Sequence, residues 1–371
     1  MKIQSENQPR FRDEPWPEEL QLTELLKDLR STLHRFVILS EEQSLSIALW
    51  IIHTYFIRPP SEPQLFEHSP ILFITSPEKQ CGKSTLRDCI QRLVCNPFNS
   101  MNASQASIYR TIQATRPTLL LDEFDNFELD RKSLIGILNS GYEPDGTVTR
   151  QGGKNFEETQ TFSTWCAKVL AGIGSIPGTL QSRCITIKLR RKFSHEKVER
   201  RNAALREDPS LFDDLRRKII RLVNDYEQEL LADDYVVEED LDDRVQDNWL
   251  GLFKVARLIG EDDLSAALEA AKALSQGDDE DQSDNILILS DLSHCELIKT
   301  SESVKSVDLV SYLHDIDDRP WSNYNGRPLS AFKMSTMLKA FDIKAHLIRF
   351  SDKSLRGYRS DAFRDAFARY L

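Results

Sequence analysis

The chain has 371 residues with 40% hydrophobic and 29% charged residues, the profile of an ordinary globular protein with room for two or three domains. A formal net charge of −11 argues against nonspecific nucleic-acid binding by the whole surface. The longest apolar stretch, 47–57, is interrupted by His53 and Thr54 and is too short to span a bilayer, so no membrane partner is expected.

The amino-terminal MKIQSENQPRFRDEPWPEEL is polar and proline-bearing and lacks the apolar core of a signal peptide, so a cytoplasmic location is expected. Residues 1–20 read as a loose arm. Apolar residues at helical spacing predict helices over 22–34 and 41–56. Pro59, Pro60 and Pro63 then break the chain, and 71–75 is a short β-rich apolar run. Helices are expected over 83–94 and 104–114, a buried strand over 118–121 ending in Asp122-Glu123, and a helix over 129–139. GYEPDGTVTRQGGKNFEETQTF, with turn signals at Asp145-Gly146 and Gly152-Gly153, reads as a β-hairpin. AKVLAGIG and RCITIKLRR give two more apolar strands. Strands alternating with helices predict a parallel α/β sheet with helices on both faces.

From Ser194 to about Ser275 the pattern is helical, and the acidic stretch 232–249 reads as a solvated connection within it. The acidic QGDDEDQSDN at 276–285 is a linker. Helices follow at 285–299, 307–315 and 330–341, then two short strands at 345–350 and 355–359, then a last helix. The expected division is therefore an arm with helices (1–58), an α/β core (59–193), a helical lid (194–276) and a basic C-terminal domain (277–371). The six cysteines, at 81, 89, 95, 166, 184 and 295, form no C-x-x-C pair and no zinc spacing, and reduced thiols are expected.

The first chemical motif is ILFITSPEKQCGKSTL, a strand, a loop and a helix start carrying Gly82-Lys83-Ser84. The phosphate-binding loop reads G-x-x-x-x-G-K-[ST], and here Pro77 stands in the first glycine position. Proline removes one N–H and fixes φ, altering the entry to the loop. The N–H groups over Lys79, Gln80, Cys81, Gly82, Lys83, Ser84 and Thr85 remain to face a triphosphate, favoured by the helix dipole. Lys83 is expected on the β/γ-phosphates and Ser84 on Mg²⁺. Asp122, 39 residues after Lys83, is the expected second metal residue, and Glu123 the group that orients and polarises the attacking water. The expected fold is thus a P-loop NTPase core, in which the strand at 118–121 is expected beside that at 71–75, with ATP and Mg²⁺ as ligands.

The C-terminal segment is basic: 319–371 carries eleven Lys/Arg against four acids, a local +7 that leaves −18 on the remainder. A helix followed by a basic β-hairpin predicts a winged-helix-like module. Ser330 is its N-cap, with Phe332, Met337, Leu338 and Phe341 expected inward and Lys333, Thr336 and Lys339 outward. The wing supplies Arg349, Lys353, Arg356 and Arg359 for DNA phosphates. Such modules also dock proteins. Trp321 and Tyr324 read as packing residues.

The segments SPEKQCGKSTL, RPTLLLDEFD, ILNSGY, FSTWCAKVLAGIG, IPGTLQSRCITIKLRRK, DRPWSNYNGRPLS and GYRSDAFRDAFARYL resemble the bacterial domain-of-unknown-function family numbered 3631, over roughly residues 40–371. That family occurs in phage, plasmid and integrative-element proteins, often near primase modules. More broadly the core resembles the helicase branch of AAA+-type ATPases, in which a β-hairpin before the fourth core strand touches DNA in the pore of a ring. The resemblance implies that Arg183 is an arginine finger reaching a neighbouring subunit's γ-phosphate, and that Arg150 and Lys154 of the hairpin contact DNA. A solvated hairpin and a surface arginine are the competing readings, and Glu157 and Glu158 lie near those hairpin cations. The usual polar sensor is replaced by Gly174 and Ser175. The expected function is an oligomeric DNA-dependent ATPase, a helicase or replication-initiation motor acting on single-stranded or forked DNA with a primase or replication partner in trans. The alternative is a nucleotide-switched DNA-binding regulator without unwinding. A small-molecule kinase explains neither the hairpin nor the basic C-terminus.

Overall fold

A computed structural model describes residues 11–76, 80–100, 104–122, 124, 131–152, 158–173, 176–193, 195–237, 241–276, 284–316, 319–324, 326–350 and 353–371. The chain divides into two compact units, Met1–Gln276 and Gly277–Leu371.

The first unit is built on a five-stranded parallel sheet in the order β2-β3-β6-β1-β7, formed by Pro97–Asn99 (β2), Thr118–Leu121 (β3), Lys168–Ile173 (β6), Ile71–Ser76 (β1) and Cys184–Lys188 (β7). β1 is buried along its whole length, as a central parallel strand covered on both faces must be. Its residues alternate between two cores. Leu72 and Ile74 join one face together with Val169, Ala171, Ile185 and Ile187. Ile71 and Phe73 join the other with Leu119, Leu121 and Leu170. The expectation that β3 lies beside β1 is corrected: β6 sits between them, pairing Leu170 with both Leu121 and Phe73. The backbone of β6 pairs on both edges, with β3 through Leu119–Leu121 and with β1 through Ile71–Ser76, which gives it its interior place.

The core on the first face is shared by α1 (Leu22–Phe36), α2 (Glu41–Thr54), α3 (Lys83–Leu93), α8 (Leu211–Ala232), α9 (Asp243–Ile259) and α10 (Glu261–Gln276), with Ala204 joining it. α2 opens on a capping box, Ser40 with Gln43, and is buried from Ser44 to Thr54, apolar nearly all round. The second face is covered by α4 (Gln105–Thr115) and α5 (Arg131–Ser140). A two-stranded antiparallel hairpin, β4 (Thr147–Gly152) with β5 (Glu158–Ser163), precedes β6 and leans on α4 through Tyr109 and Phe162, whose rings are 4.7 Å apart. α6 (Gly178–Gln181) leads into β7, and α7 (Arg201–Glu207) follows it. Fully buried Lys168 at the start of β6 donates to the carbonyl oxygens of Gly141 and Cys166.

The second unit packs α11 (Asp284–Ser293), α12 (Glu296–Thr300), α13 (Ser306–His314), α14 (Ala331–Leu338) and α15 (Ser360–Tyr370) with a three-stranded antiparallel sheet, β8-β10-β9 (Ser303–Lys305, Lys353–Arg359, His346–Phe350). The single helix expected over 285–299 is two, because the chain turns at His294-Cys295 to bury Cys295. Trp321 is buried and donates from Nε1 to Asp291 at 2.7 Å, so it packs as expected. A Cβ at Gly357 would stand 2.6 Å from the Val304 carbonyl oxygen, so only glycine lets β10 close on β8 there.

Phe332, expected inward, is 83% exposed. The inward stripe of α14 is Met334, Met337 and Leu338, at i, i+3 and i+4, and a residue two positions earlier falls on the opposite side. The six cysteines are free, and no helix among the described residues is long and apolar enough to cross a membrane.

Candidate functional site

The C-terminal end of β1 and the start of α3 form the first candidate. Ser76 closes β1 and Lys83 opens α3. Gln80 and Gly82 have φ of 66° and 90°, so the chain reverses through left-handed conformations just before the helix. Gly82 tolerates that backbone where a side chain would be strained. Lys83 directs its Nζ back to the Ser76 hydroxyl. Cys81 is buried, Ser84 is exposed and Thr85 is half-buried. Lys79 and Pro77 lie outside the described residues.

Asp122 follows β3 directly and is half-buried. Its Oδ2 accepts from Arg87 Nη1 at 2.7 Å. Arg87 stands one turn after Lys83 on α3 and is itself buried, so α3 joins the loop to the acid. Arg87 Nη2 also donates to Asp88 Oδ1 at 2.6 Å, and Arg201 of α7 donates to Asp88 Oδ2 at 2.6 Å. Burial pushes the Asp88 carboxyl up, and the hydrogen bonds and charges of Arg87 and Arg201 outweigh it, so its pKa is lowered. Glu123 lies outside the described residues.

The donor set fits a hard cation in part. A serine hydroxyl and an aspartate carboxylate are the oxygen ligands Mg²⁺ prefers, and Mg²⁺ usually completes its shell with water and substrate phosphate. Among the described residues no group of three or more His, Cys, Asp or Glu could hold a metal ion by itself. Asp122 could serve as a ligand by sharing its carboxylate with Arg87 or exchanging away from it.

Arg183 is half-buried and folded onto its own unit. It donates from Nη1 to the Thr179 carbonyl oxygen at 2.7 Å and lies over the Tyr142 ring at 5.4 Å. Arg244 of α9 lies over the same ring at 5.6 Å. Tyr142 donates from its hydroxyl to Asn248 Oδ1 at 2.8 Å, and Asn248 Nδ2 donates to the Ser182 carbonyl oxygen at 3.0 Å. In the hairpin, half-buried Arg150 lies over the Tyr109 ring at 5.4 Å. Lys154, Gly174 and Ser175 lie outside the described residues.

In the second unit Lys333 and Lys339 are exposed on and after α14, and Arg349, Lys353, Arg356 and Arg359 are exposed on β9 and β10. Arg356 pairs across the strands with Leu347, itself 76% exposed. The network of Arg87, Asp88 and Arg201, and the platform of Tyr142, were not read from the sequence. The Arg-Asp doublet one helical turn past Lys83 was the visible signal for the first.

The family model described as "Protein of unknown function (DUF3631)" matches residues 188–370. The match begins at the last residue of β7, so the loop, Asp122 and Arg183 lie outside it, whereas the resemblance was read over a longer span. An "Uncharacterized 28.9 kDa protein in xis 5′ region" from Saccharopolyspora erythraea is 32% identical over 133 residues, which is 35% of this chain. The chain spans 50% of the length of that relative. Two solved structures titled as apo A forms of the NrS-1 C-terminal region are 13% and 14% identical, with TM-scores of 0.43 and 0.41. In each case 95% of this chain and 78% of the other are covered.

Proposed function

We propose that the chain is an ATP-hydrolysing, DNA-binding motor of a mobile genetic element, a helicase or replication-initiation ATPase that works as an oligomer. The observation that carries this reading is the hydrogen bond from Arg87, one turn after Lys83 on α3, to Asp122 after β3, which joins the helix of the one expected nucleotide motif to the acid of the other at one end of the parallel sheet. Ligands of open α/β sheets bind outside the carboxyl ends of the strands, where Ser76, Lys83 and Asp122 all stand. The fold reading is a P-loop core of the AAA+ kind, supported by a hairpin placed before β6, the fourth parallel strand in chain order.

In this reading the N–H groups over 80–85 and the Lys83 ammonium hold the phosphates. Bound Mg²⁺ would neutralise charge on the β- and γ-phosphates. Ser84 and Asp122 would hold it, Glu123 would orient water, and Arg183 would act on the nucleotide of a neighbouring copy. The second unit, with cations on a helix and on the hairpin behind it, is read as a winged-helix-like module on DNA phosphates. The relative named for the 5′ region of xis supports the mobile-element setting.

The test is the ATPase rate with and without single-stranded DNA across protein concentrations. A rate that rises with DNA and with concentration, and that Lys83→Ala abolishes, supports the motor. No turnover under any of these conditions overturns it. The regulator reading is favoured instead if nucleotide alters DNA affinity while a forked duplex is never separated.

A further inference from the structure

We infer that the segment following β7 is the nucleobase platform of this site, with Phe193 stacking on the base of a nucleoside triphosphate and Arg191 and His195 beside it. The inference rests on the phosphate-site reading above and extends it to residues that neither the loop nor the acid strand contains.

Position comes first. β7 runs parallel to β1, with Lys188 opposite Thr75, and Leu189 N–H donates to the Thr75 carbonyl oxygen at 2.8 Å. The chain after β7 therefore leaves the sheet at the same end as the loop after β1, on the neighbouring strand. Arg191 Nη2 donates to Gln80 Oε1 at 3.4 Å, which ties the segment to the loop. Two residues further on, a span of about 7 Å at full extension, stands Phe193. A ribose separates a nucleotide's phosphates from its base by a comparable length.

The second observation is that Phe193 is exposed yet held. It is 58% exposed. A lone exposed apolar residue needs no explanation, but this one is fixed by its neighbours. Its N–H donates to Glu196 Oε2 at 2.7 Å. Arg190 grips both oxygens of the same carboxylate, at 2.8 and 2.5 Å, and lies 4.9 Å from the Phe193 ring centroid. The His195 ring lies 5.5 Å away and within 7° of parallel. The Glu196 carboxyl is held down at about 2 by Arg190 and the Phe193 N–H, so the clamp is ionised at neutral pH. An aromatic ring fixed in advance gives up little freedom on binding. A stacked base accepts any π-face, so this platform is expected to serve adenine and guanine alike.

The test compares a probe with a base to one without. Affinities of the full chain for MgATP and for magnesium tripolyphosphate are measured by calorimetry, for the wild type and for Phe193→Ala, Phe193→Tyr and Lys83→Ala. Phe193→Ala is expected to weaken MgATP by about five-fold or more, leave tripolyphosphate unchanged, and be rescued by Phe193→Tyr. Lys83→Ala is expected to weaken both. As a second readout, Phe193→Trp fluorescence should be quenched by MgATP and not by tripolyphosphate. The platform is overturned if Phe193→Ala leaves MgATP affinity unchanged or weakens both probes equally. It also falls, with the phosphate site intact, if the wild type binds tripolyphosphate as tightly as MgATP. If the wild type binds neither, the phosphate site itself is wrong and the platform goes with it.

Discussion

Arg87 Nη1 lies 2.7 Å from Asp122 Oδ2, and the same guanidinium lies 2.6 Å from Asp88 Oδ1. One buried cation thus serves the candidate metal carboxylate on one side and, on the other, the acid that anchors α7 through Arg201.

Removing that cation leaves Asp122 without this counter-charge. Arg87→Ala is expected to cost about 3 kcal/mol, the usual loss when one partner of a buried pair is deleted. Urea unfolding at pH 7 reads it. In the same variant Mg²⁺ no longer competes with an arginine for Asp122, so its affinity in the presence of ATP should rise. An Arg87→Ala protein of unchanged stability and unchanged Mg²⁺ affinity would show that the bridge is incidental.

Arg183 can be tested by mixing. Arg183→Ala is expected to bind ATP normally and fail to hydrolyse it, because its guanidinium would act on a neighbour's nucleotide. Mixtures of Arg183→Ala with Lys83→Ala chains should regain part of the turnover, since an intact finger then meets an intact loop. Normal turnover by Arg183→Ala alone would instead assign this arginine to its packing on Tyr142.

His53 gives a pH dependence. Its ring is fully buried, stacks on Phe66 at 4.4 Å, and has Nε2 3.4 Å from the Ser69 hydroxyl. Burial, with Lys168 adding to it, lowers its pKa from 6.5 to about 3. The unfolded chain therefore takes up the proton first, and the unfolded state gains on acidification. The first unit keeps this stability above the unfolded pKa near 6.5 and loses it between there and about 3, at up to about 1.4 kcal/mol per pH unit. His53→Gln should flatten that slope in unfolding titrations at pH 7 and pH 5. An equal slope in both proteins would place the titration elsewhere.

The basic hairpin of the second unit predicts a salt effect. Lys353→Ala with Arg356→Ala should weaken binding to all DNA sequences alike. The slope of log affinity against log salt should shrink by about 1 for each lost phosphate contact. Filter binding between low and physiological salt measures it, and an unchanged slope would take the hairpin off the backbone.

How much of this was legible follows the physics of each feature. β1 and β3 were visible because buried parallel strands carry short unbroken apolar runs, ILFI within 71–76 and LLL within 118–121, next to polar residues. β2 and β8 were not, since three residues carry no period and β2 opens on a proline. Strand order was misread because local pattern does not say which edges meet; only β6, inserted late in the chain, decides it. Lys83 and Asp122 were legible as motif residues, whereas the Arg87 bridge needs α3 folded against the end of β3. Phe332 falls outward because the spacing of Met334, Met337 and Leu338 sets the inward side of that helix opposite to it.

Helix α2, apolar on nearly every side, finds its partners α9 and α10 about two hundred residues later in the chain. During synthesis α1 is already at hand to cover one side of it, but the sides that α9 and α10 cover stay bare until those helices emerge. Pairing across so long a loop is slow, so chains truncated before α9 are expected to aggregate more readily than the whole chain in a solubility assay.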